Sequence, residues 1–148
     1  MDNIAAVLSG SLSSLHHDYK NLVDFLFIYL LEGHPRDGWA LGSYFSYFDH
    51  HENLDDRIVA VRRLIEADSE FQTFTTDIED FSKVRVVVDP MENKFADAYA
   101  ALPDRAFVIE GDKMAYIGGT VREQSRNPLV MITENVRDWL KVRFSDSK

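Results

Sequence analysis

Apolar side chains recur along the first twenty residues at Ile4, Leu8, Leu12, Leu15 and Tyr19, every three or four positions. That spacing predicts a helix with one buried stripe, weakened by Gly10 and the surrounding serines. The pattern then changes. "LVDFLFIYLL" is apolar on both faces and rich in β-favouring residues, which predicts a central, parallel strand ending at Glu32-Gly33-His34-Pro35. Residues 32–53 read as a long loop carrying Trp39, Tyr44, Phe45, Tyr47 and Phe48. Loops of that length tend to carry function or partial structure of their own.

A second amphipathic pattern, "NLDDRIVAVRRLIEAD", opens with Asn53 as N-cap and Asp56 three residues on. Acids there suit the positive end of a helix. Leu54, Ile58, Val61, Leu64 and Ile65 form its expected inner face, and Ser69 to Lys83 shows no period. "VRVVVDP" predicts a short strand stopped by Asp89-Pro90, and "NKFADAYAAL" a short helix. "RAFVIEGDKMAYIGG" is the cleanest hairpin signal, two β runs around Gly111-Asp112. "ENVRDWLKVRF" closes the chain as an amphipathic helix, with Val136, Trp139, Leu140 and the stem of Arg143 inward. Alternating β and α elements with a terminal hairpin predict an α/β three-layer sandwich, its parallel core extended by an antiparallel edge into one mixed sheet. The 148 residues fit one domain, 1–148.

Charge and composition narrow the function. A formal net charge of −9 disfavours nucleic acid and anionic membrane as partners, since phosphate binding needs clustered Lys and Arg. The longest apolar run is about half of what spans a bilayer and contains Asp24. "MDNIAAVLSG" has no basic n-region, so the expected location is cytoplasmic. There is no cysteine, which removes disulfides, thiolate nucleophiles and Cys-ligated zinc from these residues. No Walker loop, GxGxxG or HExxH occurs, and the five histidines show no metal-ligand spacing, so neither cofactor nor metal is expected.

Among the histidines, adjacent His16 and His17 read as a solvated pair on a helix flank. His34 lies just past the carboxyl end of the first strand, where open α/β sheets bind ligands. Beside Glu32 and Asp37 it is either a proton carrier or a loop histidine bonded to local backbone. The aromatic loop either receives a flat ring, with Trp39 as its contact, or folds over the sheet as core. Arg105, opening a strand, pairs with a ligand carboxylate or with a surface acid.

Several of these segments, in this order, resemble the iodothyronine deiodinases, and more closely their shorter soluble relatives. "VDFLFIYLLEGHPRDGW" is similar to that family's strand-to-loop motif, which ends in His-Pro-x-Asp-Gly-Trp. "NLDDRIVAVRRL", "VVVDPMENKFADAYAALPDRAFVIEGDKMAYIGG" and "ENVRDWL" look like its later helix, signature and closing helix. The resemblance implies a thioredoxin-like fold and reductive removal of iodine from an aromatic ring. It implies a selenocysteine or cysteine nucleophile and a thiol reductant. It also implies a small halogenated aromatic substrate and a tendency to form homodimers. By motif, His34 and His51 match histidines that assist proton transfer, Glu32 the second acid of a Glu-Glu pair, and Arg105 an arginine that binds the substrate's amino-acid end. Leu31 and Gly33 depart from the motif, and "GGTVREQSRNPLVMIT" is longer than the family's linker.

Met1-Asp2 falls about where the nucleophile segment would lie, so the first core strand is expected to be missing. A start codon placed after an in-frame UGA would produce that arrangement. Two functions follow: a deiodinase-like selenol or thiol oxidoreductase lacking its nucleophile and inactive as it stands, or a non-catalytic thioredoxin-fold scaffold.

Overall fold

The computed structural model describes residues 2–43, 46–102, 104–119 and 128–145, with the side chains of 2–9 and 128–131 left aside. Tyr44 and Phe45 of the aromatic loop, and residues 120–127 of the long linker, lie outside the described residues, as do the side chains of Ile4 and Leu8. The elements run α1 (Asp2–Tyr19), β1 (Leu26–Tyr29), α2 (Leu54–Ala67), β2 (Phe74–Thr75), β3 (Val84–Val88), α3 (Lys94–Tyr99), β4 (Phe107–Glu110), β5 (Lys113–Ile117) and α4 (Pro128–Phe144). This is a mixed α/β chain. It divides into two compact units, Met1–Ala100 and Ala101–Lys148.

In the first unit β1, β3 and β2 form a parallel sheet in that order, with Leu26 opposite Arg85 and Phe74 opposite Val84. The parallel direction expected of the first strand holds, but two details differ. Only Leu26–Tyr29 is strand, because Leu22 and Val23 are drawn into the turn that closes α1, their N–H groups donating to the Tyr19 carbonyl at 2.8 and 2.9 Å. And β3, not β1, is the centre of the sheet; among the described residues β1 pairs on one side only. The two-residue β2, in the segment expected to be irregular, pairs beside β3 because Phe74 is pulled into the core.

That core is Val61, Phe74, Val84 and Val86, flanked by Leu12, Phe25, Phe27, Tyr29, Leu64, Ile65 and Val88. Each fully buried Val or Phe contributes roughly 1.5–3 kcal/mol of transfer free energy. Phe27 meets Phe74 edge-on at 5.3 Å.

The start of α2 is as its sequence requires. Asn53 Oδ1 accepts from Asp56 N at 3.1 Å, and Asp56 Oδ2 accepts from Asn53 N at 3.3 Å, a reciprocal capping box. Its inner face is shifted: Arg57, Ala60 and Val61 are buried, while Leu54 is exposed. At its other end the buried Asp68 carboxylate accepts from Thr73 N, Thr73 Oγ1 and Phe74 N, fixing the entry to β2.

The second unit holds the β4–β5 hairpin and α4. The strands are therefore drawn as two ladders, one parallel and one antiparallel, where a single mixed sheet was expected. Gly111 and Asp112 both take positive φ, +54° and +60°, which the right-handed twist of a two-residue hairpin demands. On α4, Val136 and Leu140 are buried and Trp139 is half-buried, its ring 6.2 Å from Tyr116. Arg143 instead lies exposed and pairs with Glu110. Among the described residues no helix is long and apolar enough to cross a membrane.

Candidate functional site

The carboxyl end of β1 is organised by one acid. The Tyr29 hydroxyl donates to Glu32 Oε2 at 3.3 Å, and the His34 N–H donates to Glu32 Oε1 at 3.4 Å. The chain bends at Gly33-His34, so Glu32 and His34 are joined through the backbone rather than by the shared face of an extended segment. Burial, reinforced by the Glu32 carboxylate, pushes the Tyr29 phenol far above its ordinary value. Tyr29 therefore stays a proton donor to Glu32 across the physiological range. Sequence reasoning passed over it as strand core; its signal is a tyrosine three residues before an acid at a strand's end.

His34 is half-buried and its ring stands edge-on to Trp39, with centroids 5.3 Å apart and planes at 70°. Its Nδ1 lies 3.2 Å from the Trp39 carbonyl oxygen. That oxygen can only accept, so Nδ1 carries a hydrogen, and in the neutral form of the ring Nε2 is the nitrogen with the lone pair. Of the two readings left open for His34, the local backbone bond exists, and it leaves one ring nitrogen available for chemistry.

Trp39 is 69% exposed, with Leu41 and Tyr47 also open, so the described part of the aromatic loop does not fold over the sheet as core. The loop has its own polar scaffold, which holds these rings away from the sheet. Arg36 grips Asp49 through Nε and Nη2 at 2.8 and 2.6 Å, and Asp37 accepts from both the backbone N–H and Nδ1 of His50 at 2.8 and 3.0 Å. The Arg36 guanidinium holds the Asp49 carboxyl below the ordinary carboxylate range.

His51 sits behind this ledge. Its ring is 5.9 Å from Tyr29 and 6.1 Å from Phe48, and neither ring nitrogen has a hydrogen-bond partner although both are shut off from solvent. Burial is the chief cause lowering its pKa; Arg57 and His50 lower it further, against the opposing pull of Glu32 and Asp56. An imidazole biased toward its neutral form is therefore held near a phenol and an acid, with both ring nitrogens unclaimed.

Glu32, His34, Trp39 and His51 thus share the carboxyl end of β1 and the loop after it. Arg105 belongs to the second unit, half-buried two residues before β4. Arg57 was also missed by sequence reasoning. It is buried, its Nη1 donating to the carbonyls of Asp89 and Pro90 at 2.8 and 2.9 Å and its Nη2 to Asn93 Oδ1 at 2.7 Å. Asp89 in turn accepts from the N–H groups of Phe95 and Ala96, both at 2.9 Å. This network anchors α2, whose start carries His51, to the carboxyl end of β3.

The solvated reading of the histidine pair holds for His17 alone. Neighbours on a helix point about 100° apart, and His16 turns inward, buried and edge-on to Phe25 at 5.3 Å. It lines a shallow cavity of about 240 Å³ with Lys20, Asp24, Phe25 and Phe81 at the amino end of β1, remote along the strand from His34. The cavity carries none of the predicted site residues. Among the described residues no three His, Asp or Glu side chains converge as metal ligands would.

A sequence model of the family described as iodothyronine deiodinase matches residues 9–144. The type II iodothyronine deiodinase of Fundulus heteroclitus is 32% identical over 136 residues, covering 88% of this chain and 44% of that protein. Those of Bos taurus and Homo sapiens are each 32% identical as well, over 139 and 137 residues, covering 90% and 88% of this chain and 45% and 43% of their own lengths. The chain spans less than half the length of these curated relatives.

Proposed function

Because the chain belongs to the iodothyronine deiodinase family, we propose that it is a thioredoxin-like domain, 1–148, built to hold a small iodinated aromatic for reductive dehalogenation. In that reaction an aryl iodide and two thiols give the arene, a disulfide, iodide and a proton. The electron-donating selenol or thiol is not among these 148 residues, which contain no cysteine. What the chain's own residues offer is a surface for the ring and groups that handle the proton.

The exposed Trp39 face takes the iodinated ring, and His34 presents Nε2, the nitrogen not bonded to the Trp39 carbonyl, beside it. Glu32 and His51 are the groups that handle the proton, with the Tyr29 hydroxyl holding Glu32 in place, and by its motif alone Arg105 of the second unit is proposed to bind a carboxylate. A thiol reductant, a cytoplasmic location and a homodimer belong to the same proposal. The observation that carries it is the linked set Tyr29–Glu32–His34–Trp39 at the end of β1, in a chain matched along residues 9–144.

Binding tests it without requiring turnover. Trp39 and Trp139 are the only tryptophans, so titration with an iodothyronine should quench the fluorescence of Trp39. The quench should vanish in Trp39→Phe and require several-fold more ligand in His34→Ala. No saturable quench in the unaltered chain would refute the assignment.

A second function, a non-catalytic thioredoxin-fold binding module, is favoured by Leu31 and Gly33, which depart from the family's motif beside Glu32 and His34. Joining a cysteine-bearing segment ahead of residue 1 separates the two. Iodide release supports the dehalogenase, and binding without release supports the module.

A further inference from the structure

We propose that the ties of Arg36 to Asp49 and of Asp37 to His50 latch the described turn Pro35–Leu41 and so set the tautomer of His34, with Arg36, Asp37, Asp49 and His50 as positioning residues. The inference rests on the site assignment above, which makes His34 the nitrogen that faces substrate, but its geometry stands independently.

Three contacts tie the two ends of the loop. Arg36 N donates to the Phe48 carbonyl at 2.6 Å. The Arg36 guanidinium makes a two-pronged pair with Asp49. Asp37 Oδ1 receives both donors of His50. Between these ties the chain turns tightly, with Gly38 N donating to the Pro35 carbonyl at 3.2 Å and Ala40 N to the Gly38 carbonyl at 3.0 Å. The turn leaves no room: a Cβ on Gly38 would lie 2.6 Å from His50 Cε1 and 3.0 Å from Pro35 Cγ. The product is a fixed orientation for one carbonyl, that of Trp39, which receives the Nδ1 proton of His34 at 3.2 Å.

An untethered neutral histidine favours the proton on Nε2. Here the Trp39 carbonyl selects the opposite form, freeing Nε2 as an acceptor. The carbonyl is not itself charged and belongs to a loop, so its position depends on the side-chain ties at 36–37 and 49–50. An exposed Trp on a loop would otherwise sample many orientations and lose the bond. The bidentate geometry of Arg36 on Asp49 is the form of exposed ion pair that holds a direction as well as a distance.

The test is the tautomer of His34, read by long-range proton–nitrogen correlation on the ¹⁵N-histidine-labelled full chain at about pH 8, above the ordinary imidazole value of about 6.5. A His34→Gln variant assigns the resonances. The unaltered chain should show the proton on Nδ1. Asp49→Asn and Asp37→Asn, which keep side-chain shape, should each move the ratio toward Nε2–H by about two- to fivefold, the scale of a single exposed pair. The swap Arg36→Asp with Asp49→Arg should recover most of it.

An Nε2–H tautomer in the unaltered chain would overturn the proposal. So would an unchanged ratio in both single variants, or a swap that fails to restore the ratio while circular dichroism shows a folded chain. Failure of iodothyronine binding with the tautomer behaving as expected would instead remove the functional assignment and leave the latch standing.

Discussion

Removing the Arg57 guanidinium tests how the carboxyl end of β3 is held. Arg57 makes three hydrogen bonds, to the carbonyls of Asp89 and Pro90 and to Asn93 Oδ1. Its Nε is buried without a partner. A hydrogen bond to a charged group contributes about 1.5–3 kcal/mol net, and an unsatisfied buried donor costs about 1–3 kcal/mol. Arg57→Met forfeits the three bonds and leaves the two carbonyls short of a donor, but it also relieves the buried charge and the idle Nε. The balance is a loss of about 2–4 kcal/mol. At about 2–4 °C per kcal/mol for a chain of this size, Tm should fall by roughly 4–16 °C. Arg57→Lys keeps the charge but cannot span three acceptors from one ammonium, so it should recover less than half of the loss. Urea unfolding followed by circular dichroism gives both numbers. If Arg57→Met lies within about 0.5 kcal/mol of the unaltered chain, the usual range of an inert surface change, the network does not hold the turn. If Lys restores full stability, charge rather than the planar fork is what matters.

Asn53→Ala breaks the capping box and should cost about 1 kcal/mol, seen as a lower urea midpoint with unchanged slope. The His16 and His51 pKa values are lowered in the folded chain, chiefly by burial. Their contribution is therefore present above the unfolded value near 6.5 and is lost as pH falls through and below it. Stability measured at pH 7.5 should exceed that at pH 5.5, and His51→Phe should flatten that dependence; a steeper one would mean that His51 is charged in the fold. The 148-residue polypeptide should release no iodide from an iodothyronine with dithiothreitol beyond a heat-killed control, and clear release would show a nucleophile other than cysteine or selenocysteine.

The features legible in the sequence are those whose partners lie within a few residues. Asn53 and Asp56 cap each other, Gly111-Asp112 turns the hairpin, and the three- to four-residue spacing around Leu12 and Leu15 fixes α1. The strand run at 22–31 was over-read because apolarity does not say that Leu22 and Val23 are claimed by the end of α1. Arg57 is absent from the inner face that the spacing predicts because its acceptors lie 32 to 36 residues away, a distance no local pattern carries. The same limit applies at the site. Motif order singled out Glu32, His34, Trp39 and His51, while Tyr29 joined them only once its hydroxyl was seen to reach Glu32. The exposure of Trp39 reverses the ordinary expectation for a large aromatic residue, because polar ties within its own loop, not apolar burial, hold the segment.

The two ladders also set a timetable. In the hairpin, Glu110 meets Lys113 across a two-residue turn, a closure that takes about 1–10 μs. In the parallel sheet, Leu26 must find Arg85, so a loop of roughly 60 residues closes before the first ladder bond repays its entropy. Until β3 has been synthesised and released, β1 has none of its four ladder pairs with β3, and Leu26–Tyr29 waits as a short apolar segment without that partner. A growing chain therefore exposes this segment for as long as it takes to make everything up to Val88, and that interval is where a chaperone or an aggregate would compete for it.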